Sequence, residues 1–142
     1  MKNLIIVSSL AFALLTGSAL LAFNKTEAQN NINSPALDKG ISLKVTDYSI
    51  EKNQLLVHYT VESEKEYSLK NDELIERPDV FINGQLTHPS SLSNKKINSN
   101  KYLGVAEINL KDIGTTDNLN VKFNTDAILN HEGQWTVEFN TK

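Results

Sequence analysis

The chain has 142 residues, 39% of them apolar, with 14 Lys or Arg against 17 Asp or Glu and a formal net charge of −3. It has no cysteine, which excludes a disulfide framework, a thiolate metal site and thiol-linked lipid. Mild acidity leaves no electrostatic footprint for nucleic acid.

The first element is an uncharged, mostly apolar run over residues 4–23, preceded by Lys2. About 20 such residues match the thickness of a bilayer. Ser8, Ser9, Thr16, Gly17 and Ser18 soften the run, and Thr26-Glu27-Ala28 places small residues three before and one before a cut after Ala28. Residues 1–28 are therefore read as a secretory signal, with an uncleaved membrane anchor as the alternative. Either way residues 29 onward face the exterior, and the membrane is met only through 1–28. Removing 1–28 takes away Lys2, Lys25 and Glu27, leaving 12 basic and 16 acidic side chains and a net charge of −4. The remaining ~114 residues suffice for one domain without staples.

Residues 29–39 are polar with one proline and are expected to be a linker. From Gly40 a period of two sets in, with Ile41, Leu43 and Val45 on one side of a strand. Leu55, Val57, Tyr59 and Val61 repeat it after a short polar turn, predicting an antiparallel pair. Residues 62–79 hold seven acidic and three basic side chains, and Pro78 biases Arg77 toward extended geometry. That segment is expected to be a long surface loop. Asn83-Gly84 between two apolar triplets predicts a tight hairpin, because a type I′ turn needs positive φ at both central positions. Residues 90–101 read as a polar, mobile loop carrying Lys95, Lys96 and Lys101. Strands resume at residues 102–110, with Gly104, Ala106, Ile108 and Leu110 inward, and again at Leu119, Val121 and Phe123. After an expected turn at 130–133, Trp135, Val137 and Phe139 alternate with Thr136, Glu138 and Asn140, which makes the only tryptophan a core residue. The fold class expected is all-β: an antiparallel immunoglobulin-like β-sandwich of about seven strands over 40–142, preceded by a signal or anchor helix.

Several of these stretches resemble one family. GISLKVTDYSIEKNQLLVHYTVES contains a glycine-led strand, the Asp47-Tyr48 turn and the alternating strand from Leu55 to Val61. With Ile82-Asn83-Gly84-Gln85, the Tyr102-x-Gly104 pair and the closing Gly-Gln-Trp-Thr-Val-Glu-Phe from Gly133, it is similar to the uncharacterised immunoglobulin-like domain of Gram-positive proteins related to anti-sigma factors. The resemblance covers residues 38–142. It implies a β-sandwich outside a single membrane-spanning segment and supplies no catalytic residues. Only Met1 to Asn3 precede the apolar run here, so the cytoplasmic region that holds a sigma factor in relatives has no counterpart, and a direct sigma-factor inhibitor is not expected.

Chemistry-bearing residues are sparse. His58, His88 and His131 are the only histidines and fall on a strand, a hairpin end and a turn, so they are read as ordinary surface histidines rather than converging metal ligands. Asp112, Asp117 and Asn118 around Gly114 lack the spacing of a calcium loop. A serine nucleophile needs a base in reach, and His88-Pro89-Ser90-Ser91 reads first as a turn. No catalytic, cofactor-binding or metal site is assigned, and no cofactor is expected. Glu62, Glu64 and Glu66 are expected to line a solvated strand edge. The acidic segment 62–79 and the basic segment 94–101 are read as solubility features unless they lie together, where they could dock a protein or cell-wall polymer. The function expected is an exported, non-enzymatic binding module at a Gram-positive-type cell surface, secreted or anchored. A membrane-anchored envelope-stress sensor and a small secreted hydrolase inhibitor are the alternatives.

Overall fold

The computed structural model describes residues 35–69 and 72–142, so the signal or anchor helix expected at 1–28 lies outside the described residues. Nine strands follow in order: β1 (Ala36–Asp38), β2 (Ile41–Glu51), β3 (Gln54–Ser63), β4 (Asp79–Ile82), β5 (Gln85–Thr87), β6 (Ser91–Asn98), β7 (Lys101–Asn109), β8 (Asn120–Ile128) and β9 (His131–Asn140). They form two antiparallel sheets, ordered β1-β2-β3-β7-β6 and β5-β4-β8-β9. The expected all-β, antiparallel architecture is present.

Alternation produces the packing. On β3, Leu55, Val57, Tyr59 and Val61 are buried while Leu56, His58 and Thr60 face outward half-covered. On β9, Trp135, Val137 and Phe139 are buried and their neighbours exposed. The inward faces meet: Tyr59 lies 5.7 Å from the Phe123 ring of the other sheet, and Tyr48 stacks on Phe139 at 5.7 Å. Trp135 is fully buried, as its place in the alternation predicts.

Four two-residue turns set the strand registers. Lys39-Gly40, Lys52-Asn53, Asn83-Gly84 and Leu129-Asn130 all have positive φ at both positions, the type I′ geometry whose twist matches that of the flanking strands. Each has an Asn or Gly that tolerates this conformation; Lys52-Asn53 and Asn83-Gly84 fall at expected turns, whereas Lys39-Gly40 falls where the expected linker meets the first expected strand. The fourth begins at Leu129, one residue before the expected turn at 130–133. Leu129 has φ 53°, at a cost of order 1–3 kcal/mol for a bulky side chain. Its side chain is 1% exposed, and burying it is worth about 1.5–3 kcal/mol, so packing holds the strained backbone.

The structure departs from the sequence reading in three places. Strand β1 lies inside the stretch expected to be a linker. Strand β6 occupies most of the expected mobile loop at 90–101; all eight of its residues are exposed, so it has no apolar alternation to betray it. These two bring the strand number from about seven to nine. The acidic segment 62–79 is not wholly a surface loop: Leu74 and Ile75 are 1% and 3% exposed, and Ile75 bridges Ile128. Leu129 N–H donates to the Leu74 carbonyl at 2.9 Å, and Glu76 N–H to that of Ala127 at 3.1 Å. The segment prolongs the β4–β8 pairing past the interruption at Arg77 and Pro78. Its charged residues hide a two-residue apolar anchor too short to show a period.

Candidate functional site

The two long sides of the molecule are finished differently. On one, β9 of the four-stranded sheet meets β1 and β2 of the five-stranded sheet. Trp135 Nε1–H donates to the Ile41 carbonyl at 2.8 Å, and the Gln134 amide donates to Asp38 Oδ2 at 2.9 Å. The chain passes close there: a Cβ on Gly133 would lie 2.7 Å from both Asp38 Oδ2 and the Trp135 ring. Trp135 is thus a plug joined to the opposite sheet, and the seam is closed there; beside it lies an open, mostly polar depression of about 700 Å³ at Asp38, Gly133 and Gln134.

On the other side β6 and β5 are the sheet edges, and between them lies a groove of about 610 Å³. Tyr59, Leu74, Ile75, Pro78, Pro89 and Leu92 give it apolar walls, and Asp72, Glu73, Arg77, Asp79, His88 and Asn94 complete the lining. Tyr59 reaches it from the interior. Its cross-strand neighbour is Gly104, where a Cβ would lie 2.3 Å from the phenol ring and 2.6 Å from its oxygen. The hydroxyl end of the ring therefore occupies the space a side chain on β7 would fill, which explains the glycine. Burial pushes the Tyr59 phenol well above its ordinary range, so it remains a neutral hydroxyl.

The histidines are not brought together. His88 Nδ1 lies 3.5 Å from Asp79 Oδ1 at the groove mouth, with both side chains well exposed. Ser90 and Ser91 both turn their hydroxyls onto Glu107, to its carbonyl at 3.1 Å and its Oε1 at 3.4 Å. His131 has Nδ1 2.6 Å from the Leu129 carbonyl and its ring 4.3 Å from that of Tyr67. His58 lies opposite Asp47 on the outer face of the five-stranded sheet; burial lowers its pKa, and the Asp47 carboxylate partly opposes that shift. Among the described residues no group of three or more His, Asp or Glu could hold a metal ion. Asp112 and Asp117 are exposed in the β7–β8 connection, where Asp117 N–H is bonded to Thr115 Oγ1 at 3.1 Å.

The charged segments do lie together. Ser63 N–H donates to the Asn100 carbonyl, and Asn100 Nδ2 donates back to that of Ser63, each at 3.0 Å. Glu62 is paired with Lys101 across the β3–β7 ladder, and Asn94 Nδ2 donates to the Asp72 carbonyl at 3.3 Å. The edge expected at Glu62, Glu64 and Glu66 is not one: β3 lies between β2 and β7, and Glu64 and Glu66 follow the strand. The long edge of this sheet is β6, which was expected to be a loop. Its signals were Leu92 and Ile97 spaced through a polar run and the paired Lys95 and Lys96, since lysine is a common guard of exposed edges.

These features define a two-sheet antiparallel all-β domain with one closed and one open side. The fold is similar to that of the conserved domain protein from Bacillus anthracis, whose crystal structure matches with a TM-score of 0.61 at 18% identity, over 81% of this chain and 43% of that one. At that identity the likeness speaks for the fold alone, and the chain spans less than half the length of that protein. No family model matches the chain, and no curated protein matches it.

Proposed function

We propose that the protein is a non-enzymatic binding module, an immunoglobulin-like β-sandwich related to the extracellular domain of Gram-positive anti-sigma-factor-related proteins. In this reading the apolar run at 4–23 carries the domain out of the cytoplasm, and it acts secreted or at the cell surface. The observation that supports it best is the unequal finish of the two sides. A flank strapped by Trp135 and Asp38 lies opposite a groove of about 610 Å³ with apolar walls and a polar mouth, the composition that recognition sites favour. Ser90, Ser91 and His88, neighbours in the sequence, are engaged with Glu107 and Asp79 instead of with one another.

The test compares two sets of variants of the full-length chain for retention on isolated cell envelopes. Leu92→Ser and Asn94→Arg alter the groove wall; Lys122→Glu and Thr136→Lys alter the outer face of the four-stranded sheet. Loss of retention confined to the groove variants is expected. Envelope retention that no groove variant reduces contradicts the reading.

A further inference from the structure

We propose, building on the binding-module reading, that β6 is a receptor strand: an extended segment of a partner protein, with acidic and apolar residues in alternation, adds to its free edge. The first support is a comparison of the four sheet edges. β1 and β5 have three residues each, and β9, with ten, has its Gln134 amide capped by Asp38 and its Trp135 side chain bonded to Ile41 where β1 and β2 approach it. β6 has eight residues, all exposed, pairs only with β7, and keeps regular register from Ser91 to Lys96 before a bulge turns it at Ile97. Such an edge presents a row of main-chain donors and acceptors that an added strand can satisfy.

The groove fixes what the added strand carries on one face. Leu92 and Asn94 lie opposite the inward Ala106 and Gly104, whereas Ser93 and Lys95 lie opposite the outward Val105 and Leu103. Leu92 and Asn94 also form the groove wall. Side chains alternate along a strand, so every second residue of an added segment falls over the groove, where Tyr59, Leu74 and Pro78 favour apolar groups. The groove bears Asp72, held against β6 by its hydrogen bond from Asn94, with Glu73 and Asp79, against Arg77 and His88, and this acidic balance disfavours acids at those inward positions.

Charge bears on the other face through Lys95. β6 carries Lys95 and Lys96 and no acid; Lys95, opposite the outward Leu103, lies on the outer face, whereas Lys96, opposite the inward Tyr102, lies on the groove side, and neither forms an ion pair among the described residues. Like charges across a ladder destabilise it, whereas opposite charges contribute. The outward positions beside Lys95 therefore favour Asp or Glu.

The test uses the full-length chain in detergent and two labelled ten-residue peptides, one alternating Glu with Val and one alternating Lys with Val. Anisotropy reads binding, and amide hydrogen exchange locates it. The glutamate peptide is expected to bind at least tenfold more tightly than the lysine peptide and to slow exchange along β6. K95E/K96E should reverse that preference, and methylation of alternate peptide amides should abolish binding. Unchanged circular dichroism shows that the exposed substitutions leave the fold intact. Three results would overturn strand addition: neither peptide binding, protection mapping away from β6, or a concentration-dependent dimer protecting β6. If any of them occurs while envelope retention still depends on Leu92 and Asn94, the binding-module reading stands and only the added strand falls.

Discussion

Each long side of the domain is organised around one large aromatic residue, and the two are used in opposite ways. Trp135 on the closed side spends its only polar group on the Ile41 carbonyl, so nothing of it is left for a ligand, and Asp38 holds β1 over the same seam. Tyr59 on the open side is equally deep, yet it lies along Gly104 and ends at the groove. Burial alone therefore does not separate core from site; what the polar end of a buried aromatic meets does.

If that contrast is right, damage on the closed side is structural and damage at the rim of the open side is not. Trp135→Ala should be the most costly, destabilising the domain by about 3–5 kcal/mol in urea denaturation, as full truncation of a buried aromatic does. Gly104→Ala is expected to cost about 1–3 kcal/mol through overpacking against Tyr59, and adding Tyr59→Leu should recover part of it. Full additivity of those two changes would show that the ring does not fill the glycine's space. Asp38→Ala removes the acceptor for Gln134 N–H and should cost about 1 kcal/mol by the same denaturation.

His58 sharpens the comparison through pH. Its folded pKa is lowered chiefly by burial, so between that value and the unfolded value of about 6.5 the unfolded chain binds more protons. Its contribution to stability is then fully present above about pH 6.5 and declines as pH falls toward the folded value. His58→Gln should flatten that part of the stability profile, and an unchanged slope would place the histidine in water. Leu92→Ser, at the open rim, should change stability by no more than about 0.5 kcal/mol.

Each side was readable from the sequence in part: the strand of Trp135 on the closed side but not its strap β1, and the Asn83-Gly84 turn on the open side but not β6. Trp135, Val137 and Phe139 announce a half-buried strand by period two, and Asn83-Gly84 announces its turn, because burial on one face and positive φ each restrict residue type. β6 is exposed on both faces, so neither restriction acts on it, and its strand state comes from hydrogen bonds to β7 alone. Leu74 and Ile75 reach the core as a two-residue bridge within charged surroundings. The groove depends on Leu74, Leu92 and Tyr59, drawn from distant segments, and only the pairing order of the sheets brings them together.

Amide hydrogen exchange of the full-length chain without ligand separates the two sides most directly. With one side closed and the other open, the β9 amides around Trp135 should exchange only on global unfolding. The outer-edge amides of β6 should exchange at rates close to those of the β7–β8 connection. Equal protection of β6 and β9 in the free chain would contradict this, since it would mean that the edge described as open is already covered.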